Sequence, residues 1–389
     1  MNNKSTVRLA AVAILILITV SGFAQDSWTG VRRIVAIGDV HGDYEQLLAV
    51  LAMADLVNER GRWSGDDSHL VQTGDLPDRG PDSAKIIRFL KKLEGQARRK
   101  GGYVHLLIGN HEAMNIYGDL RYVHPGEYKA LTDRDSQRQS DRYYRAFIDK
   151  LKETVPVDPA LVFDDAYRES WRKKYPLGYV EHRHAWGRLG EFGRWVLTHN
   201  TIIKINDLLF LHGGIGSELT DMSLSQINQQ ITKELGTVPY PQTSLMDNPM
   251  GPLWYRGTAH NGADVELPVL LTLLEKFGAN HVVMGHTTTE GTVRPRFAGK
   301  AIFIDVGLSR AYGGRTACLL IEDGKFFTLH RGEKIPLPRG DENLLSYYRK
   351  AASLDPAPSP LNGLVEYLSS SGDIVDPPIN FRRSALTTP

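Results

Sequence analysis

The chain has 389 residues, of which 41% are hydrophobic and 23% are charged. This composition is typical of a soluble globular protein with one large domain or two modest ones, and it excludes disordered, fibrous and membrane-embedded classes. The formal net charge of +1 excludes the global basic field that gathers nucleic acid or anionic membrane, so any attraction for an anion is local. The single cysteine, Cys318, excludes an internal disulfide framework and a zinc finger.

The first predicted element is a secretory signal peptide over residues 1–24. Lys4 and Arg8 precede an apolar run from Leu9 to Val20, and small residues follow that run. The run is shorter than the roughly 20 residues that a spanning helix needs, so an uncleaved membrane anchor is the weaker alternative. We therefore expect the mature chain to begin near Gln25 and to be periplasmic or secreted, without stable membrane association after cleavage.

Three segments then combine a buried strand with a polar end. They are "VRRIVAIGDV" (31–40), "SHLVQTGD" (68–75) and "YVHLLIGN" (103–110), and a pattern typical of a helix follows each one. Strands that alternate with helices predict βαβ units and a sheet with helices packed on its faces. In such sheets functional groups collect at the carboxyl ends of the strands, where the polar residues of this chain fall.

A polar region rich in arginine and aromatic residues, about 115–195, interrupts this alternation, and its helical propensity predicts an inserted helical cap. The cap either selects the substrate or is a solvated helical layer without substrate contact. After it, "TIIKINDLLFLHGG" (201–214) predicts two β segments joined at Asn206-Asp207, and "NHVVMGHT" (280–287) predicts a further strand.

The last part of the predicted domain has the alternation of a set of antiparallel strands. This run extends from "AIFIDVG" to "FFTLHRG" (301–332), with a hairpin turn at Asp323-Gly324. Residues 31–335 are thus expected to form one domain, followed by a C-terminal helical extension and loose tail over 336–389.

Five polar motifs end or follow the predicted strands. They are "GDVHG" (38–42), "GDLPDRG" (74–80), "GNHE" (109–112), "HGG" (212–214) and "GHT" (285–287). Their carboxylate, amide and imidazole groups, without sulfur, suit Mn²⁺, Fe or Zn²⁺ better than soft copper or an all-oxygen calcium cage. A single Gly-Asp turn or histidine is usually structural, but all five motifs after strands favour a metal site. The candidate ligands are Asp39, His41, Asp75, Asn110, His212 and His286.

These motifs resemble the signature of the calcineurin-like metallophosphoesterases, and within them the PPP-type phosphatases: GDxHG, GDxxDRG, GNHE and two later histidines. The segments "HEAMNIYGDLRYV", "LFLHGGI", "GPLWYRG" and "IDVGLSRAYGG" are similar to the Shewanella-like protein phosphatases. The resemblance covers about residues 33–320. It implies an α/β sandwich of two central mixed β-sheets flanked by helices, with an inserted helical cap.

The resemblance also implies two divalent ions, Mn, Fe or Zn, and a ligand set for them. Because two cations roughly 3.5–4 Å apart need a shared anion, Asp75 would bridge them. A water or hydroxide held between the ions would have a lowered pKa and would act as the nucleophile. Asp39 and His41 would complete the first ion's ligands, and Asn110, His212 and His286 those of the second.

The catalytic and phosphate-binding roles follow from the same resemblance. His111 would protonate the leaving oxygen, and Asp78 would fix its tautomer and favour its charged form. Arg79 would offer a planar fork of donors to the substrate phosphate, with Asn110 beside it. Arg256 is similar to a second phosphate-binding arginine of the family, although a surface or structural role stays open for it.

We therefore expect a metal-dependent phosphoric monoester hydrolase whose substrates are phosphorylated proteins, on tyrosine or on serine and threonine, or small phosphomonoesters. Metal-bound hydroxide would attack directly, since the motifs contain no cysteine or serine nucleophile. One alternative is a hydrolase of nucleotides or dinucleoside polyphosphates, and another is a metal-binding scaffold without catalysis. Leu76-Pro77 between the two aspartates departs from the eukaryotic PPP enzymes, so their serine/threonine preference is not carried over. Nucleic acid is not an expected partner, and the sequence leaves the oligomeric state open.

Overall fold

The computed structural model describes residues 25–154, 162–241, 244–370 and 377–379. The expected signal peptide and the last residues of the expected tail lie outside the described residues. The strands in this part of the chain are β1 (Ser27–Trp28), β2 (Arg33–Ile37), β3 (His69–Gln72), β4 (Tyr103–Leu106), β5 (Ile202–Ile205), β6 (Leu208–Leu211), β7 (His281–Met284), β8 (Arg294–Arg296), β9 (Ala301–Phe303), β10 (Ala317–Glu322), β11 (Lys325–His330) and β12 (Glu333–Pro336).

The described helices separate and follow these strands. The α-helices are α1 (Tyr44–Met53), α2 (Ser83–Arg98), α3 (Asn110–Tyr117), α4 (Pro125–Ala130), α5 (Ser136–Thr154), α6 (Asp165–Lys174), α7 (Tyr179–Trp186), α8 (Glu191–Val196), α9 (Leu224–Leu235), α10 (Gly257–His260), α11 (Ala263–Phe277), α12 (Leu344–Leu354) and α13 (Asn362–Ser370). Among the described residues, no helix has both the length and the apolar character needed to cross a membrane.

The strands form two mixed sheets. Sheet I has the order β1-β5-β6-β7-β9-β8, and sheet II has the order β12-β11-β10-β2-β3-β4. In sheet II the three strands β2, β3 and β4 are parallel, as the βαβ pattern predicts. In sheet I the pairs β6–β7 and β7–β9 are parallel, while β5 and β6 form an antiparallel hairpin. The expected fold of two mixed sheets flanked by helices is confirmed.

Sheet I is buried on both faces because apolar residues occupy successive positions of its central strands. Along β6, Leu208 and Phe210 join the main core, which they share with residues of sheet II. Leu209 and Leu211 point the other way and pack in a second core against α9 and α11. This alternation is the period of two that a β-strand imposes.

One expectation about strand pairing was wrong. The run from residue 301 to 332 was expected to form a single antiparallel set, but it is divided between the two sheets. Strand β9 pairs in parallel with β7 in sheet I, whereas β10 and β11 form an antiparallel hairpin in sheet II with its turn at Asp323-Gly324. Strands of both sheets show the same alternation of residue types, so the sequence pattern could not indicate to which sheet β9 belongs.

Helices α4 to α8 occupy most of the interval between residues 115 and 195. Helices α5 and α6 are largely polar, so packing at particular residues must hold them. An aromatic cluster does this: Tyr143 and Tyr144 of α5 lie 5.7 and 5.0 Å from the Trp171 ring of α6, and Tyr175 lies 5.0 Å from the Trp171 and Tyr179 rings.

Candidate active site

The predicted site residues lie where the carboxyl ends of strands from both sheets meet. Strands β2, β3 and β4 of sheet II and β6, β7 and β9 of sheet I each lead into a loop that reaches the same cavity or its wall. This cavity has a volume of about 120 Å³. Its lining includes these predicted residues: Asp39, His41, Asp75, Arg79, Asn110, His111, Arg256 and His286. His212 is buried directly behind the cavity, against Asn110.

Asp75 lies between two groups of side chains that could each hold a metal ion. His41 and His111 lie on one side, and His212 and His286 on the other, with the ligand atoms of each group within 4.8 Å of one another. Asp75 Oδ2 is 3.8 Å from His41 Nε2, and Asp75 Oδ1 is 3.3 Å from His212 Nε2. One carboxylate thus offers an oxygen to each side, as a bridging ligand must.

The backbone fixes the imidazoles in tautomers that suit metal binding. His41 Nδ1 donates to the carbonyl oxygen of Pro77 at 3.1 Å, and His212 Nδ1 donates to that of Thr73 at 2.9 Å. In the neutral form of each ring, Nδ1 carries the proton and the lone pair is on Nε2, which faces Asp75. A ligating imidazole commonly donates its other nitrogen's proton to such a carbonyl, which fixes the ring orientation.

Asn110 adds an amide oxygen to the His212 side. Its Oδ1 lies 2.8 Å from His212 Nε2, so an amide oxygen and a ring nitrogen converge beside Asp75. Amide oxygens and imidazole nitrogens both serve as ligands of divalent ions. The residues present therefore fit a divalent ion here. His286 reverses the pattern: its Nε2 donates to the Trp254 carbonyl at 3.2 Å, leaving the lone pair on Nδ1.

Three buried carboxylates share this site, and their electrostatics also suit cations. Burial, with the charges of Asp305 and Asp75, raises the pKa of Asp39 well above its usual range. Burial likewise raises the pKa of Asp305. Burial opposes ionisation of Asp75 too, but the imidazoles of His212 and His111 outweigh it and hold its pKa well below the usual range. A divalent ion offsets such repulsion between carboxylates.

The loops of the site carry backbone conformations that side chains rarely adopt. Non-glycine residues with positive φ cost roughly 1–3 kcal/mol each and persist only where the surroundings hold them. The glycines beside them allow close approach: a Cβ on Gly285 would lie 2.5 Å from Asp39 Oδ1. The positive φ angles at the predicted site residues are 45° at His41, 60° at Asp75, 72° at Asp78, 66° at Arg79 and 65° at His286.

Glu112, the last residue of the GNHE motif, holds the Asp75 turn. Its Oε2 accepts from the backbone N–H groups of Asp75 at 2.9 Å and Gly109 at 2.8 Å. Its Oε1 accepts from Leu76 N–H at 2.7 Å. Burial and the charge of Asp75 raise the pKa of Glu112 to about 7. One side chain therefore ties the second motif to the third.

His111 and Asp78 form the expected pair. His111 Nδ1 donates to Asp78 Oδ2 at 2.5 Å, and Asn115 Nδ2 donates to Asp78 Oδ1 at 3.0 Å. The other ring nitrogen of His111, Nε2, lies 3.7 Å from Asp75 Oδ2. Burial opposes protonation of His111, but Asp75 and Asp78 outweigh it and raise its pKa above the ordinary value. The predicted acid and its predicted partner are thus in contact, and Nε2 of His111 faces the candidate metal ligand Asp75.

Two arginines line the same cavity. The Arg79 guanidinium carbon lies 3.9 Å from the ring centroid of Tyr122 and 5.9 Å from that of Tyr312. No carboxylate of the described residues forms an ion pair with Arg79, so its donors remain for an anion. Arg256 Nη1 donates to the carbonyl oxygen of His286 at 2.8 Å, which gives Arg256 a structural contact as well as a place in the cavity wall.

Sequence reasoning missed several residues of the cavity. Asp305 follows β9 in "IDVG" and receives hydrogen bonds from Thr288 Oγ1 at 2.7 Å and Gly307 N–H at 3.0 Å. An aspartate after a strand was the available signal. Tyr122 and Trp254 also line the cavity, and no local pattern distinguishes them from packing aromatics.

The calcineurin-like phosphoesterase family model matches residues 32–290. Shewanella-like protein phosphatase 2 of Arabidopsis thaliana is 31% identical over 294 residues, which cover 72% of this chain and 72% of that protein. Shewanella-like protein phosphatase 1 of Plasmodium berghei (strain Anka) is 28% identical over 290 residues, which cover 72% of this chain and 68% of that protein.

A solved structure has the same fold. The cold-active protein-tyrosine phosphatase of a psychrophilic Shewanella species superposes with a TM-score of 0.62 and 31% identity, over 81% of this chain and 83% of that one. Its agreement with the family match and with the phosphatase relatives identifies the reaction class as phosphoester hydrolysis. The chain therefore belongs to the calcineurin-like phosphoesterase family, as a metal-binding hydrolase of the PPP type.

Proposed function

We propose that this protein is a phosphatase with two divalent ions, Mn, Fe or Zn, that hydrolyses phosphate monoesters on proteins. The observation that supports this most is the position of Asp75, which offers one oxygen to His41 and the other to His212. His111 and Arg79 line the same small cavity.

The residues that would hold the ions are divided by Asp75. Asp39 and His41 would lie on one side, and Asn110, His212 and His286 on the other. When bound, such ions lower the pKa of a bound water and offset the negative charge of the phosphate oxygens.

The side chains of the chain itself orient the phosphate and move the proton. Arg79 presents a planar set of donors to two phosphate oxygens, which a lysine cannot match. His111 gives a proton to the leaving oxygen, while Asp78 keeps its Nδ1 proton in place and stabilises the charged ring. Arg256 adds donors beside His286.

The size of the cavity supports a side-chain phosphate as the substrate. A volume of about 120 Å³ takes a phosphoryl group, so the rest of the substrate lies at the mouth. Tyr122, Trp254 and Tyr312 line the same cavity, and aromatic rings of this kind suit an aromatic leaving group. Together with the tyrosine phosphatase among its structural relatives, this favours phosphotyrosine.

The proposal is tested with purified protein loaded in turn with Mn²⁺, Zn²⁺ and Fe. Hydrolysis rates are compared on a phosphotyrosine peptide, a phosphoserine peptide, 4-nitrophenyl phosphate and a dinucleoside polyphosphate. We expect the phosphotyrosine peptide to be hydrolysed faster than the phosphoserine peptide, and both peptides faster than the dinucleoside polyphosphate. A dinucleotide turned over faster than every monoester would replace this proposal with the nucleotide-hydrolase alternative.

We also propose that the protein is exported, with residues 1–24 removed before Gln25. The charged start, apolar run and small residues support this. Cell fractionation and amino-terminal sequencing test it, and a cytoplasmic protein that retains residue 1 would contradict it.

A further inference from the structure

The side chain of Glu127, which lies outside all five motifs, contacts Asp78, the partner of the predicted acid His111. Glu127 lies on α4, and its side chain is buried, with 2% of the residue exposed. Its Oε1 accepts a hydrogen bond from the backbone N–H of Asp78 at 3.1 Å. The contact joins residues 49 positions apart in the chain.

Asp78 needs such a contact because its backbone is strained. Its φ is 72°, and the residue is fully buried. A buried backbone N–H without an acceptor costs about 1–3 kcal/mol, in addition to the cost of the conformation itself. The conformation nevertheless aims the Asp78 carboxylate at His111.

The segment around Glu127 contacts the "GDLPDRG" loop at two further points. The carbonyl oxygen of Tyr122 accepts from Arg79 N–H at 3.1 Å. A Cβ on Gly126 would lie 2.5 Å from Pro81 Cβ, so the start of α4 is packed tightly on the end of the loop. Residues 122–127 thus contact two of the three residues that the loop supplies to the site, Asp78 and Arg79.

The same carboxylate oxygen also fixes the start of α4. Glu127 Oε1 accepts from His124 N–H at 3.3 Å, as the third residue of a capping box does. One oxygen therefore fixes both the helix and the loop. A glutamine at this position keeps that acceptor oxygen, whereas an alanine removes it.

We propose that Glu127 is a positioning residue that holds Asp78, and through it His111, in the geometry for proton donation to the leaving oxygen. This inference rests on the proposed phosphatase function. It also gives the region between residues 115 and 195 a part in catalysis, because α4 supplies the contact.

The proposal predicts a dependence on the leaving group. 4-Nitrophenolate departs readily without a proton, whereas an alkoxide needs the acid. If Glu127 acts through His111, its loss slows alkyl phosphate hydrolysis more than 4-nitrophenyl phosphate hydrolysis. Loss of metal or of folded protein slows both substrates by the same factor.

The experiment measures kcat on 4-nitrophenyl phosphate and on a phosphoserine peptide for Mn²⁺-loaded wild type, Glu127→Ala, Glu127→Gln and His111→Asn. Metal content and circular dichroism are recorded for each. Glu191→Ala is the matched control, because Glu191 ties α8 to Arg88 of α2 at the exposed surface, away from the cavity.

Wild-type turnover of both substrates establishes the phosphatase reaction independently. The informative quantity is the kcat on 4-nitrophenyl phosphate divided by the kcat on the phosphoserine peptide. We then expect Glu127→Ala to raise this ratio about tenfold or more, in the same direction as His111→Asn. Glu127→Gln restores the ratio to within about threefold of wild type, and Glu191→Ala leaves it unchanged. In the His111→Asn background, Glu127→Ala has no further effect on the ratio.

An unchanged ratio in folded, metal-loaded Glu127→Ala would overturn the proposal, as would an additive effect in the His111→Asn background. If Glu127→Ala does not fold, the Gly126→Ala variant tests the proposal instead. The Cβ of an alanine at position 126 pushes α4 away from Pro81. A raised ratio in Gly126→Ala supports the proposal, and an unchanged ratio overturns it.

Discussion

The Asp78→Asn variant tests whether the charge of Asp78 stabilises the protonated form of His111, the predicted acid. Asparagine keeps an oxygen that accepts from His111 Nδ1, which is now 2.5 Å from Asp78 Oδ2, but it removes the charge. A hydrogen bond to a charged group contributes about 1.5–3 kcal/mol and one to a neutral group about 0.5–1.5 kcal/mol, so the loss is about 1–1.5 kcal/mol, equivalent to about 5-fold to 13-fold in rate. We expect kcat on a phosphoserine peptide to fall by that factor while the metal content stays unchanged.

The pH dependence of Asp78→Asn tests the direction in which Asp78 shifts the pKa of His111. Asp75 and Asp78 raise the pKa of His111 in the folded protein, so the acid stays protonated to a higher pH and activity falls as pH rises through that pKa. Removing the Asp78 charge lowers the pKa, and the alkaline limb of kcat/KM moves to lower pH. Asp82→Asn is the control, because the Asp82 side chain makes no capping hydrogen bond. An alkaline limb that stays in place or moves to higher pH would refute the reasoning.

Further predictions concern the phosphate, the metals and the close packing of the loops. Arg79→Lys and Arg256→Lys should each weaken inhibition by inorganic phosphate about tenfold, since a forked contact to the anion is lost; an unchanged inhibition constant contradicts this. Chelation should abolish activity and lower Tm, and Mn²⁺ at 100 times its Kd should restore about 2.7 kcal/mol of stability; a calorimetric scan that does not respond to Mn²⁺ contradicts it. Gly285→Ala should lose metal and turnover, because the new Cβ would lie 2.5 Å from Asp39 Oδ1. The control Gly95→Ala in α2 should be stabilised by about 0.5–1 kcal/mol in urea unfolding, and equal effects of the two substitutions on metal content would contradict the steric argument.

Much of the site could be predicted because its signal is local. A buried strand that ends at Gly-Asp or Gly-Asn indicates both the end of the strand and the polar group placed there, as at Asp39, Asp75 and Asn110. The carboxyl ends of parallel neighbours lie at one edge of a sheet, so these groups meet. The roles assigned to these residues remain predictions that the experiments above test.

The rest could not be predicted because it depends on pairing between distant segments. The alternation within β9 is the same whether it pairs with β7 or with β10, so its sheet was not predictable. Glu127 sits at the third position of a short helix, where a glutamate usually caps only its own helix. Its contact with Asp78 exists because α4 folds against a loop 49 residues earlier.

The central claim is that Asp75 is shared by two metal ions. Anomalous diffraction from crystals grown with Mn²⁺, with elemental analysis of the same protein, tests it most directly. We expect two peaks per chain, roughly 3.5–4 Å apart, on either side of the Asp75 carboxylate in wild type, and loss of this pair in Asp75→Asn. A single ion, or ions bound away from Asp75, would contradict it.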